Sequence, residues 1–186
     1  MKRLDSPDPN DLTPEQQVVY DKIVDGPRGR IGGALSFWLH RPELADRAQE
    51  LGLYLRYNTT LPPRLSELAI LVTARFWGAE FEWMHAPIAL KAGHSKASLD
   101  AIKQGRTPTF DHDDEALVYE ITRDILKHKQ LSDEVYARGM DTFGAEAMVD
   151  LVAVLGYYSL ICMTLNTFKI LPDPREDGWS PAVEIA

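Results

Sequence analysis

Arg64-Leu65-Ser66-Glu67, followed ten residues later by Trp77-Gly78-Ala79-Glu80-Phe81-Glu82-Trp83-Met84-His85-Ala86-Pro87 and a run to Gly93, is the stretch from which fold and chemistry are read together. Arg64 to Trp77 predicts a helix with Leu68, Leu71, Val72 and Phe76 on its buried side. Gly78 predicts a break, and Ala79 to Ala92 a further helix closed by Gly93. Three acids and a histidine lie here among apolar and aromatic residues. On a helix Glu82 and His85, three apart, share a face. Glu67 and Arg75, on roughly one side of the preceding helix, are placed to face them. A carboxylate beside an imidazole raises its pKa and sets its tautomer, as acid–base work requires. Aromatic neighbours such as Trp83 dry such a site. The same Glu-x-x-His spacing is common on solvated helix faces. A carboxylate-bridged metal centre would need a second copy of it, and Glu82-x-x-His85 occurs once, so no metal is expected.

Upstream, Thr13-Pro14-Glu15-Gln16 has the residues of a capped helix start, predicting a helix to about Val24 that stops at Gly26-Pro27. A glycine-bearing loop leads to a short apolar turn at Leu35 to Leu39. A helix from Pro42 to about Tyr57 then carries Leu44, Ala48, Leu51 and Leu55 on one stripe. Downstream, Ser95 opens a short helix, Asp114 to Lys129 is amphipathic, and Ser132 caps a helix to about Phe143. Gly144 ends that helix, and a long apolar one follows from about Glu146 to Lys169. No segment alternates as a strand does. The reading is an all-α single domain over 12–171 with about seven to nine helices, a flexible arm over 1–11 and a loose tail over 172–186.

The chain has 186 residues, a net charge of −8 and no basic cluster. Nucleic acid is therefore not an expected partner. An anionic ligand would need a local basic pocket to overcome long-range repulsion. The single cysteine, Cys162, cannot make an intrachain disulfide or a CxxC pair and reads as a buried small hydrophobe. With no signal-peptide core at the N-terminus, a cytoplasmic setting is expected. Leu151 to Phe168 is uncharged for 18 residues, but Gly156, Tyr157, Tyr158, Ser159, Asn166 and Thr167 within it favour a helix buried inside a protein over a membrane span.

The stretch first quoted resembles the carboxymuconolactone decarboxylase / alkylhydroperoxidase D-like family. That family's segment reads R-x-x-E, then about a dozen residues to C-x-Y-E-W-x-x-H, then A-x-x-A-G. Arg64 and Glu67 match its opening, Phe81-Glu82-Trp83 its aromatic–acid–aromatic core, and Ala89 to Gly93 its ending. Phe143-Gly144, Gly156-Tyr157-Tyr158 and Leu165-Asn166 extend the likeness to nearly Leu12 to Leu171. The resemblance implies an alkylhydroperoxidase D-like helical fold and trimers or hexamers, for which Phe37, Trp38 and Trp77 are candidate interface anchors or core residues. The departures are chemical. The peroxidase branch has cysteines where this chain has Ala79 and Glu82, and a histidine where it has Ala86. Without thiolates the dithiol peroxidase mechanism is excluded.

Resemblance to the decarboxylating branch implies a cofactor-free lyase acting on a small carboxylated lactone, as in aromatic catabolism. In that reading His85 donates the proton, Glu67 or Glu82 orients it, Arg75 clamps the substrate carboxylate, and Tyr157 or Asn166 adds hydrogen bonds. Two other readings stand beside it: a non-catalytic oligomeric binding protein of the same fold, and a redox protein that would need an exposed, activated Cys162.

Overall fold

The computed structural model describes residues 2–173, which are helical with no strand. The order is α1 (Pro14–Asp25), α2 (Ala34–Trp38), α3 (Pro42–Tyr57), α4 (Pro63–Trp77), a 3-10 turn (Glu80–His85), α5 (Ala86–Lys91), α6 (Lys96–Lys103), α7 (Asp113–His128) and α8 (Asp133–Phe168). The all-α expectation holds, with eight α-helices among the described residues. The expected tail over 172–186 lies, beyond Asp173, outside them.

α4 is the axle. Every residue from Leu65 to Arg75 is buried, because α7 and α8 pack along it and the 3-10 turn and α5 cover what remains. A helix apolar on all sides belongs in such a position. Pro63 starts it without losing a hydrogen bond, and Gly78, at φ 63°, closes it with its N–H on Ala74 and Arg75 carbonyls. α1 begins with the predicted capping box: Thr13 accepts from the Gln16 N–H, and the Gln16 side chain accepts from the Thr13 N–H.

Two expectations are corrected. The buried stripe of α3 is Ala45, Ala48, Gly52 and Leu55, whereas Leu44 and Leu51 are exposed; small residues let α3 approach its neighbours closely, and the leucines fall outside that contact. The single helix expected over Ala79 to Ala92 is a 3-10 turn followed by α5. Pro87 has no N–H to reach the Trp83 carbonyl four residues back, so the Ala86 N–H takes that carbonyl in the tighter pattern. Over its described residues the N-terminal arm touches the domain: the Arg3 N–H donates to the Phe168 carbonyl at 3.0 Å, and the Asp5 carbonyl meets His40 Nε2 at 2.8 Å. Of the two roles open to Phe37 and Trp38, the structure shows core: Phe37 stacks on Phe168, and Trp38 Nε1 donates to Thr164 Oγ1 at 3.0 Å.

α8 runs 36 residues but breaks its helical backbone at Gly144, at φ 74°. By length and composition it could cross a membrane, yet 61% of its most apolar window is buried within the fold, as befits a core helix. Trp77 is half-buried and donates from Nε1 to Ser159 Oγ on α8 at 3.0 Å.

Candidate functional site

Three helical elements meet at one buried imidazole. α4 presents Glu67, and the 3-10 turn presents both Glu82 and His85. In a 3-10 helix three residues make about one full turn, so Glu82 and His85 stand one above the other. His85 Nδ1 donates to Glu67 Oε2 at 2.5 Å, and its Nε2 lies 3.5 Å from Glu82 Oε2. All three side chains are buried. From α8, Tyr158 packs edge-on against the imidazole, with ring centroids 5.4 Å apart. The imidazole thus has a carboxylate at each nitrogen and a fixed plane. Because those nitrogens point different ways, the three groups do not converge as a metal-ligand set, and the described residues contain no cluster of that kind.

Beside this trio lies a cavity of about 340 Å³, lined by Glu82 and His85 but not by Glu67, which stands behind the imidazole. Its cationic wall is Arg28 and Arg30, from the loop between α1 and α2, and Arg56, from the last turn of α3. Tyr157 adds its hydroxyl from α8. The apolar lining is Ile31, Leu35, Phe81, Met84, Ile88 and Ile161.

Gly52 makes the cationic floor possible. A Cβ there would overlap the Tyr157 hydroxyl and come within 2.5 Å of Arg28 Nη2. The phenol and the guanidinium therefore share a notch in α3 that only glycine leaves open. They lie side by side; Arg28 Nε and Nη2, Arg56 Nε and Tyr157 Oη have no hydrogen bond of full geometry among the described residues.

Burial sets the local electrostatics. It pushes the Glu82 carboxyl above the usual range, opposed by His85 and then Arg56, with Glu67 adding to the rise. It also pushes the Tyr157 phenol up to about 12, against the pull of Arg28, and the Tyr158 phenol well above its ordinary value. Both phenols stay protonated and can donate. Cys162 is fully buried on α8, and burial with Glu82 nearby pushes its thiol well up, away from the thiolate a redox site needs.

The structure therefore brings together Glu67, Glu82, His85 and Tyr157. It places three other candidates off the cavity. Arg75 is buried on α4 but does not line the space; eight residues beyond Glu67, it is turned by about 80° around the helix. Trp83 is buried in the core rather than at the cavity wall. Asn166 is exposed and donates to the Trp77 carbonyl at 2.6 Å, tying α8 to the end of α4. Sequence reasoning missed Arg28, Arg56 and Tyr158. The signal for Arg28 was a loop with four glycines and two arginines, Gly26 to Gly33, in an otherwise acidic chain.

An all-α protein with a carboxylate–imidazole–carboxylate trio at an arginine-walled cavity is the class that fold and site define. Residues 42–116 match the Carboxymuconolactone decarboxylase family model, so the stretch that holds the trio is similar to that family. The matched segment holds Arg56, Glu67, Glu82 and His85; Arg28 and Tyr157 lie outside it. No curated protein matches the chain.

Proposed function

We propose that this protein is a cofactor-free lyase that decarboxylates a small carboxylated substrate of the lactone or related aromatic-catabolism type in the cytoplasm. The observation that carries the reading is the opening of the Glu67–His85–Glu82 trio onto a cavity whose other polar wall is Arg28 and Arg56. In the proposed step the bond from carbon to the substrate carboxylate breaks and carbon dioxide leaves. The electron pair stays on the substrate as an enolate conjugated with its carbonyl. The guanidiniums of Arg28 and Arg56 hold the substrate carboxylate before it leaves and face the enolate charge that develops beside it, in a partly dry site where fixed cations act most strongly. A proton then passes to carbon from the Glu82–His85 pair. Glu82 suits a donor because burial keeps its carboxyl protonated to higher pH than usual. Glu67 is the positioning residue, holding the imidazole by its Nδ1–H. Solvent entering the cavity returns the proton.

The test is carbon dioxide release from a panel of lactone carboxylic acids by the native protein and by His85→Ala, Glu82→Gln and Arg56→Met. Loss of about a hundredfold or more in kcat for the first two is expected from removing an acid–base group. Full turnover by His85→Ala would refute the proposal. Acid binding without any turnover by the native protein would leave the non-catalytic binding reading.

A further inference from the structure

The cavity lining has a buried polar part and an exposed apolar part. Its polar lining residues carry buried atoms without a hydrogen-bond partner: Arg28 Nε and Nη2, Arg56 Nε and the hydroxyl of Tyr157, a residue only 4% exposed. Its outer lining includes side chains that are apolar yet wet: Met84 is 40% exposed, Ile88 38% and Tyr57 47%. Half-buried Phe81 joins them in the lining.

We infer that this site takes an amphipathic anion head-first, its carboxylate on Arg28, Arg56 and the Tyr157 hydroxyl and its alkyl or aryl body against Phe81, Met84 and Ile88. The inference rests on the proposed reading of the cavity as the substrate site and narrows the substrate to acids that carry an apolar body. Buried guanidinium and hydroxyl donors without acceptors are costly, and an oxyanion is the ligand that satisfies several at once. A small polar acid would satisfy them and leave the rim in water. A neutral apolar molecule would cover the rim and leave the donors unmet. A ligand with both parts answers both ends of the cavity, and its body can extend beyond the mouth.

The experiment measures binding by isothermal titration calorimetry, independently of turnover. The probes are butanoate, hexanoate and octanoate, with 1-octanol as the neutral control. For the native protein, affinity should rise about fourfold for each added methylene that covers the rim. Octanol should bind at least tenfold more weakly than octanoate. Met84→Ser with Ile88→Ser should flatten the series while leaving butanoate affinity within about twofold. Arg56→Met should cut octanoate affinity by tenfold or more, and Arg56→Lys should restore part of it; far-ultraviolet circular dichroism checks that each variant is folded. A flat series in the native protein, equal binding of octanol and octanoate, or an undiminished chain-length dependence in the rim variant would overturn the inference. A rising series without turnover of any lactone acid would sink the lyase proposal alone. Turnover with a flat series would sink this inference alone.

Discussion

A methyl group at position 52 is the smallest change that would disturb the floor of the cavity. Built on the helical backbone, the Cβ of Gly52→Ala would overlap the Tyr157 hydroxyl and lie 2.7 Å from its Cζ and 2.5 Å from Arg28 Nη2. Tyr157 has little room to retreat. Its ring meets Trp38 edge-on at 6.3 Å and Tyr158 at 5.6 Å, and it is buried. Arg28, on a half-buried loop side chain, has more freedom and should be the group displaced. Alanine inside a helix gains about 1 kcal/mol over glycine. Overpacking a tight contact costs about 1–3 kcal/mol. The two oppose, so net stability should fall by about 0–2 kcal/mol. Affinity for octanoate should fall more clearly. Losing one charge-assisted hydrogen bond of about 1.5–3 kcal/mol weakens binding roughly tenfold to a hundredfold. Urea unfolding gives the first quantity and calorimetric titration the second. A variant about 1 kcal/mol more stable than the native protein, with unchanged affinity, would refute the notch.

Four further outcomes are expected. Burial raises the Glu82 pKa in the folded state, so the stability this proton contributes is present at low pH and is lost as pH rises through the folded pKa; Glu82→Gln should therefore flatten the fall in stability from the ordinary carboxylate range upward, and a native-like slope in urea unfolding would contradict this. Arg64 grips Asp114 at 3.0 and 2.7 Å and buried Glu115 at 2.8 Å, so Arg64→Met should cost about 3 kcal/mol by stranding a buried carboxylate; a loss under about 0.5 kcal/mol would show the cluster is not needed. Cys162 should resist a disulfide-exchange reagent in the native protein and react fully in denaturant, whereas fast native labelling would revive a redox role. The proposed trimer or hexamer needs an apolar face, and Val149, Val152, Leu160 and Met163 form an exposed strip on one side of α8. Val152→Glu should lower the sedimentation coefficient, and a monomeric native protein would remove the proposal.

The helices were legible because their ends are chemically marked. Thr13 with Gln16, Pro42, Pro63, Gly78, Ser95 and Ser132 each stop or start a helix by local hydrogen bonding or by a fixed backbone angle, and such signals survive folding. Which face turns inward was less legible where the contact is tight. On α3 a hydrophobicity pattern selects Leu44 and Leu51, whereas the helix buries Ala45, Ala48 and Gly52. Closeness of approach depends on what lies opposite, and no local pattern records that. The cationic half of the site was hidden for the same reason: Arg28 and Arg56 belong to different elements, and Arg28 fits beside Tyr157 because Gly52 leaves it space.

The histidine shows how a local departure can carry the geometry. The family's histidine position falls on Ala86, four beyond Glu82, and an α-helix would turn His85 about 100° away from it. The turn is not α-helical. With about three residues per turn, His85 comes round directly above Glu82. In an α-helix position 86 would overshoot Glu82 by only about 40°. Tighter winding therefore recovers more than half of the angle that the one-residue shift removes. Pro87 enforces that winding by withholding the N–H an α-helix would use. The shifted histidine and the proline two residues after it are thus one device, and His85 reaches Glu67 because the turn before Pro87 is a 3-10 one.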